Sequence, residues 1–387
     1  MFEQAQMLYI YVETPLHAGS GRGIGGIDLP IQRERITDYP MVQASSLKGR
    51  LRAEAEAKLD HATFLSIFGQ AEDTGAFGGA ISPGDARLLL FPVRSLAGVF
   101  AWATSPLILR RFVRDATMVG LQLDPIWQQL PSSAAQAASQ VRQPPAQGAA
   151  VPAPQPAPAH AAATAPQPSG AVAPTPPPTV NEKQALVAPT SHLKVGTSGS
   201  ILLEEYDFTA RSVQRTDKTE DLVTALAQEI AQLAFPSTPE YTAWSKALPQ
   251  QLVILHDTVF RDFVRLSTEL ATRVRLDAAT KTVIGGALWV EESLPSETVL
   301  YAPLYATATR SINGSNNQRT GAPLNIAAKD VLDTLTQLGL NRIRLGGDET
   351  VGRGSVYLRW GAVATPNATT PNVTTPAEKE QAHAPHD

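Results

Sequence analysis

Asp28 is the acid best placed to act on a ligand. It closes the glycine-rich stretch GIGGIDLP at residues 23–30, and the extended run that follows, residues 29–36, carries Arg33, Glu34 and Arg35. A carboxylate in such a loop can accept a proton or hold a divalent metal. The bland alternative is a turn cap, because an aspartate among glycines readily bonds its own backbone. His17, a little upstream, can serve as an acid or a phosphate contact, the roles histidines commonly take, or only as a hydrogen-bonded loop histidine.

Downstream, Ser45 and Ser46 open a predicted helix with Lys48, Arg50 and Arg52 in its first turns. Unpaired amides at a helix start, with basic side chains beside them, favour an anion such as a phosphate. Lys48 has the stronger claim to that anion, and its alternative is a solvated lysine; Arg50 and Arg52 fit equally an exposed helix face. Arg273 and Arg275 alternate along a predicted strand, share one face, and either meet a ligand or pair with acids. Glu291 and Glu292 follow a strand and offer a second carboxylate, or are solvated loop acids. Gly346, Gly347, Gly352 and Gly354, with Arg353, allow backbone to approach a phosphate closely, or form a tight turn.

These residues need a scaffold. Residues 8–13 read as a first strand, followed by a loop over 14–26 that holds Gly19, Gly21, Gly23, Gly25 and Gly26. The helix from Ser46 spaces Leu47, Leu51, Ala55 and Leu59 four apart, one buried stripe, with Glu54 and Lys58 as an i,i+4 pair. Residues 64–68 are a short apolar segment, 69–84 a loop, and 87–93 a buried strand. Residues 99–114 read as a helix interrupted near Ser105 and Pro106. Further on, 200–209 is a strand, 221–233 an amphipathic helix, and 252–270 holds another helix. Strands at 272–276 and 282–290 flank a DAAT turn as a hairpin. Residues 300–308 are a strand, 327–338 a helix, and 355–360 the closing strand.

Composition sets the outer bounds. The 387 residues carry a net charge of −4 and an apolar share of 43%, enough for a core but against indiscriminate nucleic-acid binding. Any nucleic-acid site is therefore a local basic patch. With no cysteine there is no disulfide, thiolate metal site or thiol nucleophile. The N-terminus lacks the pattern of a signal peptide and no apolar run spans a bilayer, so the expectation is a soluble cytoplasmic protein without membrane partners. No Asp, Glu, Lys or Arg occurs between Gln143 and Val180, where Pro and Ala dominate. That composition cannot offset the entropy of ordering, and predicts a disordered segment over 131–181 between parts 1–130 and 182–360, either an insert within one domain, which the residues that follow favour, or a linker between two, with a polar tail over 361–387.

The segments TPLHAGSG, GGIDLPIQRER, ASSLKGRLR, TRVRLD, GALWVEESLP and GGDETVGRG, in this order, closely resemble one family: the RAMP-superfamily backbone subunit of the type III-B CRISPR–Cas effector, the Cmr complex. The resemblance runs from Thr14 to Gly354 and skips the Pro/Ala stretch. It implies an α+β fold, an elaborated ferredoxin-like (RRM-like) domain with a β-hairpin thumb. It implies copies polymerised along a guide RNA beside other Cmr subunits, thumbs that kink the guide–target duplex, and cleavage of target RNA at each kink by the acid matching Asp28, with Mg²⁺ or Mn²⁺. Catalytic candidates are then Asp28, also the metal residue, and His17. RNA-contact candidates are Gly19, Ser20, Arg22, Ser45, Ser46, Lys48, Arg52, Arg273, Arg275, Gly346, Gly347, Gly352, Arg353 and Gly354. One carboxylate suffices in principle, because RNA supplies its own 2′-hydroxyl nucleophile and a hydrated Mg²⁺ needs only one or two carboxylates.

Two other functions compete. A catalytically inert guide-RNA filament subunit would share every feature except the acid's role. An unrelated nucleotide-binding enzyme is disfavoured, since neither Walker nor Rossmann glycine spacing is present.

Overall fold

The computed structural model describes residues 2–23, 26–70, 78–134, 177–197, 199–309 and 324–366. Among these residues thirteen strands join one large mixed sheet, and seven α-helices pack around it. Gln4–Val12 lies inside the sheet and is buried from Ala5 onward, which explains why its hydrophobic pattern is nearly continuous. It pairs antiparallel with Val299–Ala306 on one side and with Ser355–Trp360 on the other; Val299–Ala306 in turn pairs antiparallel with Ala86–Arg94. Phe100–Thr104, Leu252–Leu255, Gln184–Val187 and Tyr206–Arg211 continue the sheet with both parallel and antiparallel pairs.

The helix Ala44–Glu56 links the first strand to Ala86–Arg94 and buries Leu47, Leu51 and Ala55, the stripe read from the sequence. Full burial of each leucine is worth about 1.5–3 kcal/mol. Ala328–Gln337 links Val299–Ala306 to the closing strand and buries Val331, Leu332 and Leu335.

Several local expectations are corrected. Residues 99–114 are not one helix: Phe100–Thr104 is a buried strand, and Ser105 caps a helix, Pro106–Met118, with proline in its first turn. The helix expected within 252–270 is present as Asp257–Leu266, preceded by the strand Leu252–Leu255. Residues 200–209 fold back on themselves as Ser200–Leu203 and Tyr206–Arg211, with Glu204 at φ 49° in the turn. The apolar segment at 64–68 is the end of a helix, His61–Phe68, capped by Asp60. The loop at 69–84 contains the short strand Ile81–Pro83. Glu54 pairs with Arg50, while Lys58 donates to the carbonyl of Leu338 at 3.1 Å, so the expected Glu54–Lys58 pair does not form.

The hairpin is present and longer than expected: Glu269–Leu276 and Val283–Ser293 form their own two-stranded sheet. Asp277 fixes its turn by accepting the amides of Ala279 and Thr280. Leu270, Val274, Leu276, Val283, Ile284 and Leu288 are exposed along it, so among the described residues nothing covers these side chains.

The Pro/Ala stretch lies outside the described residues from 135 to 176. On its two flanks, Ser132–Ser133 and Thr179–Val180 pair in parallel, so the chain leaves and returns at one place. The tail lies outside from 367 onward; just before it, Gly361 and Ala364 bond the first strand through Met7 and Ala5.

Candidate functional site

One edge of the second hairpin strand gathers the site. At its foot, alternate residues turn their backbone groups away from the partner strand. The Val290 amide donates to Asp28 Oδ2 at 2.7 Å, and the Val290 carbonyl accepts the amides of Asp28 and Leu29 at 3.1 and 3.0 Å. The Glu292 amide donates to the Leu29 carbonyl at 3.0 Å, and the Glu292 carbonyl lies 2.6 Å from His17 Nδ1. Leu294 exchanges two bonds of 2.9 Å with Leu16. The loops carrying His17 and Asp28 are thus stitched to one strand edge.

Asp28 is exposed. Its Oδ2 is taken by the Val290 amide, and among the described residues no hydrogen bond reaches Oδ1. Among the described residues the carboxylate is therefore held at one oxygen alone. His17 is half-buried. Its Nδ1 faces a carbonyl, so Nδ1 carries the hydrogen, a tautomer assigned from the partner, and Nε2 presents a lone pair when the ring is neutral.

Three glycines make room for this histidine, two beside its ring and one beside its backbone. A Cβ on Gly19 would come within 2.7 Å of Nε2, one on Gly347 within 3.2 Å of Cδ2, and one on Gly346 within 2.4 Å of the His17 carbonyl. Gly346 also sits at φ 82°, and the Gly347 amide donates to the His17 carbonyl at 2.8 Å. A reading of these glycines as phosphate cradles alone misses that they seat a histidine. Gly354, at φ 72° with a Cβ position 2.1 Å from the Leu345 carbonyl, serves a tight turn, while Gly352 at φ 85° has open space beside it.

A groove of about 380 Å³ brings Gly19, Ser46, Gly346 and Gly347 together with Gln32 and Arg50. Gln32, which sequence reasoning passed over, ties it: its amide nitrogen donates to the Gly19 carbonyl at 3.0 Å and its oxygen accepts the Gln43 amide at 2.8 Å. The signal was its place inside the DLPIQRE segment. Ser20 and Arg22 stand exposed on the adjoining loop.

Other candidates are engaged elsewhere. At the helix start the Ala44 amide donates to Asp85 Oδ1 at 2.9 Å, so one of its first-turn amides is already engaged within the protein. Ser45 is exposed on that first turn. Lys48 donates to the Ile81 carbonyl at 3.0 Å, and burial together with neighbouring Arg52 lowers its pKa. Arg52 donates to the Gly69 carbonyl at 2.6 Å and lies over the Phe64 ring.

Glu291 and Glu292 are not solvated loop acids. Both lie within Val283–Ser293 and are buried, at 3% and 2% exposure, because the site loops cover this strand. Glu292 accepts Thr268 Oγ1 at 2.8 Å, the Ile31 amide at 3.0 Å and the Arg33 guanidinium at 2.5 Å. Glu291 has Arg273 at 3.3 Å and Arg353 at 3.7 Å, and Arg353 also donates to Ser293 Oγ at 2.8 Å. Burial, and then the Asp348 carboxylate, raise the Glu291 pKa against the pull of the two arginines. Arg273 is therefore paired with an acid, one of the two readings open from sequence. Arg275 is exposed, and the strand register shifts between Val274 and Leu276, so simple alternation with Arg273 is lost.

Among the described residues no group of three or more His, Asp or Glu side chains is placed to hold a metal, and no helix is long and apolar enough to cross a membrane. What the protein offers a divalent ion at this site is Asp28 Oδ1, which suits an ion that keeps water and phosphate oxygens as its other ligands.

A mixed sheet carrying a loop acid, a seated histidine and a distal glycine-rich loop on one strand edge defines the class. The chain belongs to the RAMP superfamily, whose family model matches residues 9–357. It is 31% identical over 358 residues to the CRISPR system Cmr endoribonuclease Cmr4 of Pyrococcus furiosus, an alignment that spans 91% of this chain and 94% of that protein. A Cmr4 subunit of Saccharolobus solfataricus is 29% identical over 113 residues, 29% of this chain and 31% of the relative. Among solved structures, oligomeric Cmr4 from Pyrococcus furiosus superposes with a TM-score of 0.56 at 25% identity, covering 94% of this chain and 99% of that one. A chain of the type III-B Cmr-beta complex bound to cognate target RNA gives 0.58 at 18% identity over 93% and 98%, a likeness of fold.

Proposed function

We propose that this chain is the backbone subunit of a type III-B CRISPR ribonucleoprotein, that its copies polymerise along guide RNA beside other Cmr subunits, and that it cleaves complementary target RNA at regular intervals. The identity with an endoribonuclease along nearly the whole chain supports the assignment. The observation that carries the catalytic part is the exposed Asp28 carboxylate, held among the described residues through Oδ2 alone.

Cleavage needs the 2′-oxygen of the target in line with the leaving 5′-oxygen, so the main task is geometric. The hairpin acts as the thumb, its exposed apolar side chains meeting the duplex and opening it beside Asp28. Asp28 Oδ1 accepts the hydroxyl proton, and His17 Nε2 lies on the same strand edge to contact a phosphate or protonate the leaving oxygen. In the alternative use of the same oxygen, Oδ1 would hold a Mg²⁺ or Mn²⁺ that neutralises phosphate charge there, in place of taking the proton itself. Gly19, Ser20, Arg22, Ser45, Ser46, Gly346 and Gly347 line the RNA path; Lys48, Arg52 and Arg353 shape it from behind. The scaffold is ferredoxin-like in our reading, supported by the βαββαβ order of the four strands and two linking helices described above. The compartment is the cytoplasm.

The inert-scaffold reading has one observation in its favour: the Asp28–Val290 bond alone is reason enough for an acid at this position. Assembling the complex with Asp28→Asn and following cut products of a complementary RNA separates the two.

A further inference from the structure

We propose that a groove at the foot of the hairpin docks a lysine- or arginine-rich protein segment carrying one large apolar side chain. The inference goes beyond the nuclease reading and does not depend on it, because neither Asp28 nor His17 lines this groove; it meets their scaffold only at Thr268, which bonds Glu292.

The groove encloses about 570 Å³ between Tyr206–Arg211 and Asp257–Leu266. Phe208 and Phe263 form its apolar floor, their ring centroids 6.2 Å apart. Tyr206 stands edge-on to Phe263 at 5.7 Å, yet is 49% exposed, and Leu266 on the lip is 74% exposed. Large apolar side chains facing water around a concavity mark a surface that a partner covers.

Charge identifies the partner. Glu182, Glu204, Glu205, Asp207 and Asp262 line the groove against only Arg94 and Lys183. Arg94 is paired with Glu204 at 2.6 Å, Asp262 lies 3.6 Å from Arg261 and Glu182 lies 4.0 Å from His256, so Glu205 and Asp207 carry most of the remaining negative charge. The lining therefore stays negative, repels a phosphate backbone, and complements cationic side chains. An apolar floor for one anchor, ringed by carboxylates, is the anatomy of a protein–protein contact with a central hot spot. The acidic groove and the RNA-facing edge thus divide the work between a protein partner and nucleic acid.

The test uses the full purified chain and fluorescence anisotropy. The probe is a short fluorescein-labelled lysine peptide with a central Trp-Leu pair. Three competitors accompany it: the same peptide with Ser-Ser at the centre, its glutamate counterpart, and single-stranded RNA. The account expects saturable binding, at least about tenfold weaker for the Ser-Ser peptide, and no competition by the glutamate peptide or by RNA. Glu205→Lys combined with Asp207→Lys should weaken the probe about tenfold at an unchanged melting temperature. The milder Glu205→Gln gives an intermediate loss if the double variant melts early. A benzoylphenylalanine cross-linker in place of Leu266, in the assembled ribonucleoprotein, should then link to a basic segment of a different subunit. Absent probe binding, equal binding of the Ser-Ser peptide, indifference to the charge reversal, displacement by RNA, or cross-links to RNA or to the hairpin of a second copy would each overturn the proposal.

Discussion

Asp28 and His17 are anchored to the same edge of one strand, two residues apart: Asp28 Oδ2 accepts the Val290 amide at 2.7 Å and His17 Nδ1 meets the Glu292 carbonyl at 2.6 Å. Two residues along a strand are about 7 Å. A movement of the hairpin foot therefore carries both groups together, and the groups that lock this foot control the geometry of the site.

Glu292 is the first such lock. Its carboxylate is 3% exposed and joins Arg33 and the Ile31 amide from one loop with Thr268 at the hairpin base. Glu292→Ala leaves a buried amide and a half-buried guanidinium without this partner, although Arg33 keeps the carbonyls of Asp38 and Val264. The expected loss in urea unfolding is about 3 kcal/mol, the lower end for breaking a buried pair. A loss below about 1 kcal/mol would show that Glu292 is not a lock.

Gly346 is the second. Gly346→Ala meets both a positive φ and the His17 carbonyl, whereas Gly352→Ala meets a positive φ with open space. Backbone strain alone costs about 1–3 kcal/mol. Thermal melts should rank Gly346→Ala clearly below Gly352→Ala, with slowed RNA cleavage only in the former. Equal melts and equal rates would mean that the seat of His17 is soft.

A pH effect belongs to Glu297. Burial raises its carboxyl to about 7, and Tyr11 donates its hydroxyl to it. A carboxyl whose folded pKa is raised contributes stability that is complete below its unfolded pKa of 4.5 and is lost as pH rises to about 7. Wild type should lose stability relative to Glu297→Gln between those values, and the difference should level off above. Parallel urea curves at several pH values check this; a constant difference contradicts it.

The sequence made the long, periodic elements legible and the chemistry only in outline. The Leu47–Leu51–Ala55 stripe and the closing strand follow directly from hydrophobic spacing. The run at 99–114 misled because a buried strand and an amphipathic helix abut at a cap, Ser105, and their apolar residues read as one pattern; the same junction at His256 hid the strand ahead of the helix expected within 252–270. The exposed loop position of Asp28 was legible from its glycine-flanked setting. The burial of Glu291 and Glu292 was not, because their charges signal solvent while their partners, Arg33 and Arg353, come from distant parts of the chain. The seating of His17 by Gly19, Gly346 and Gly347 joins the two ends of the sequence and has no local signature.

Asp28→Asn tests the central claim most directly. Asparagine keeps the side-chain oxygen that accepts the Val290 amide, so the loop stays stitched to the hairpin while the negative charge is removed. The complex is assembled with guide RNA, given end-labelled complementary RNA with Mg²⁺ or Mn²⁺, and its products are resolved on a denaturing gel while target binding is measured in parallel. The account predicts an evenly spaced ladder from wild type, a rate lower by about 10²–10⁴-fold in the variant, and unchanged target binding. A variant that makes the ladder at the wild-type rate would contradict it and leave Asp28 as the residue that staples its loop to Val290.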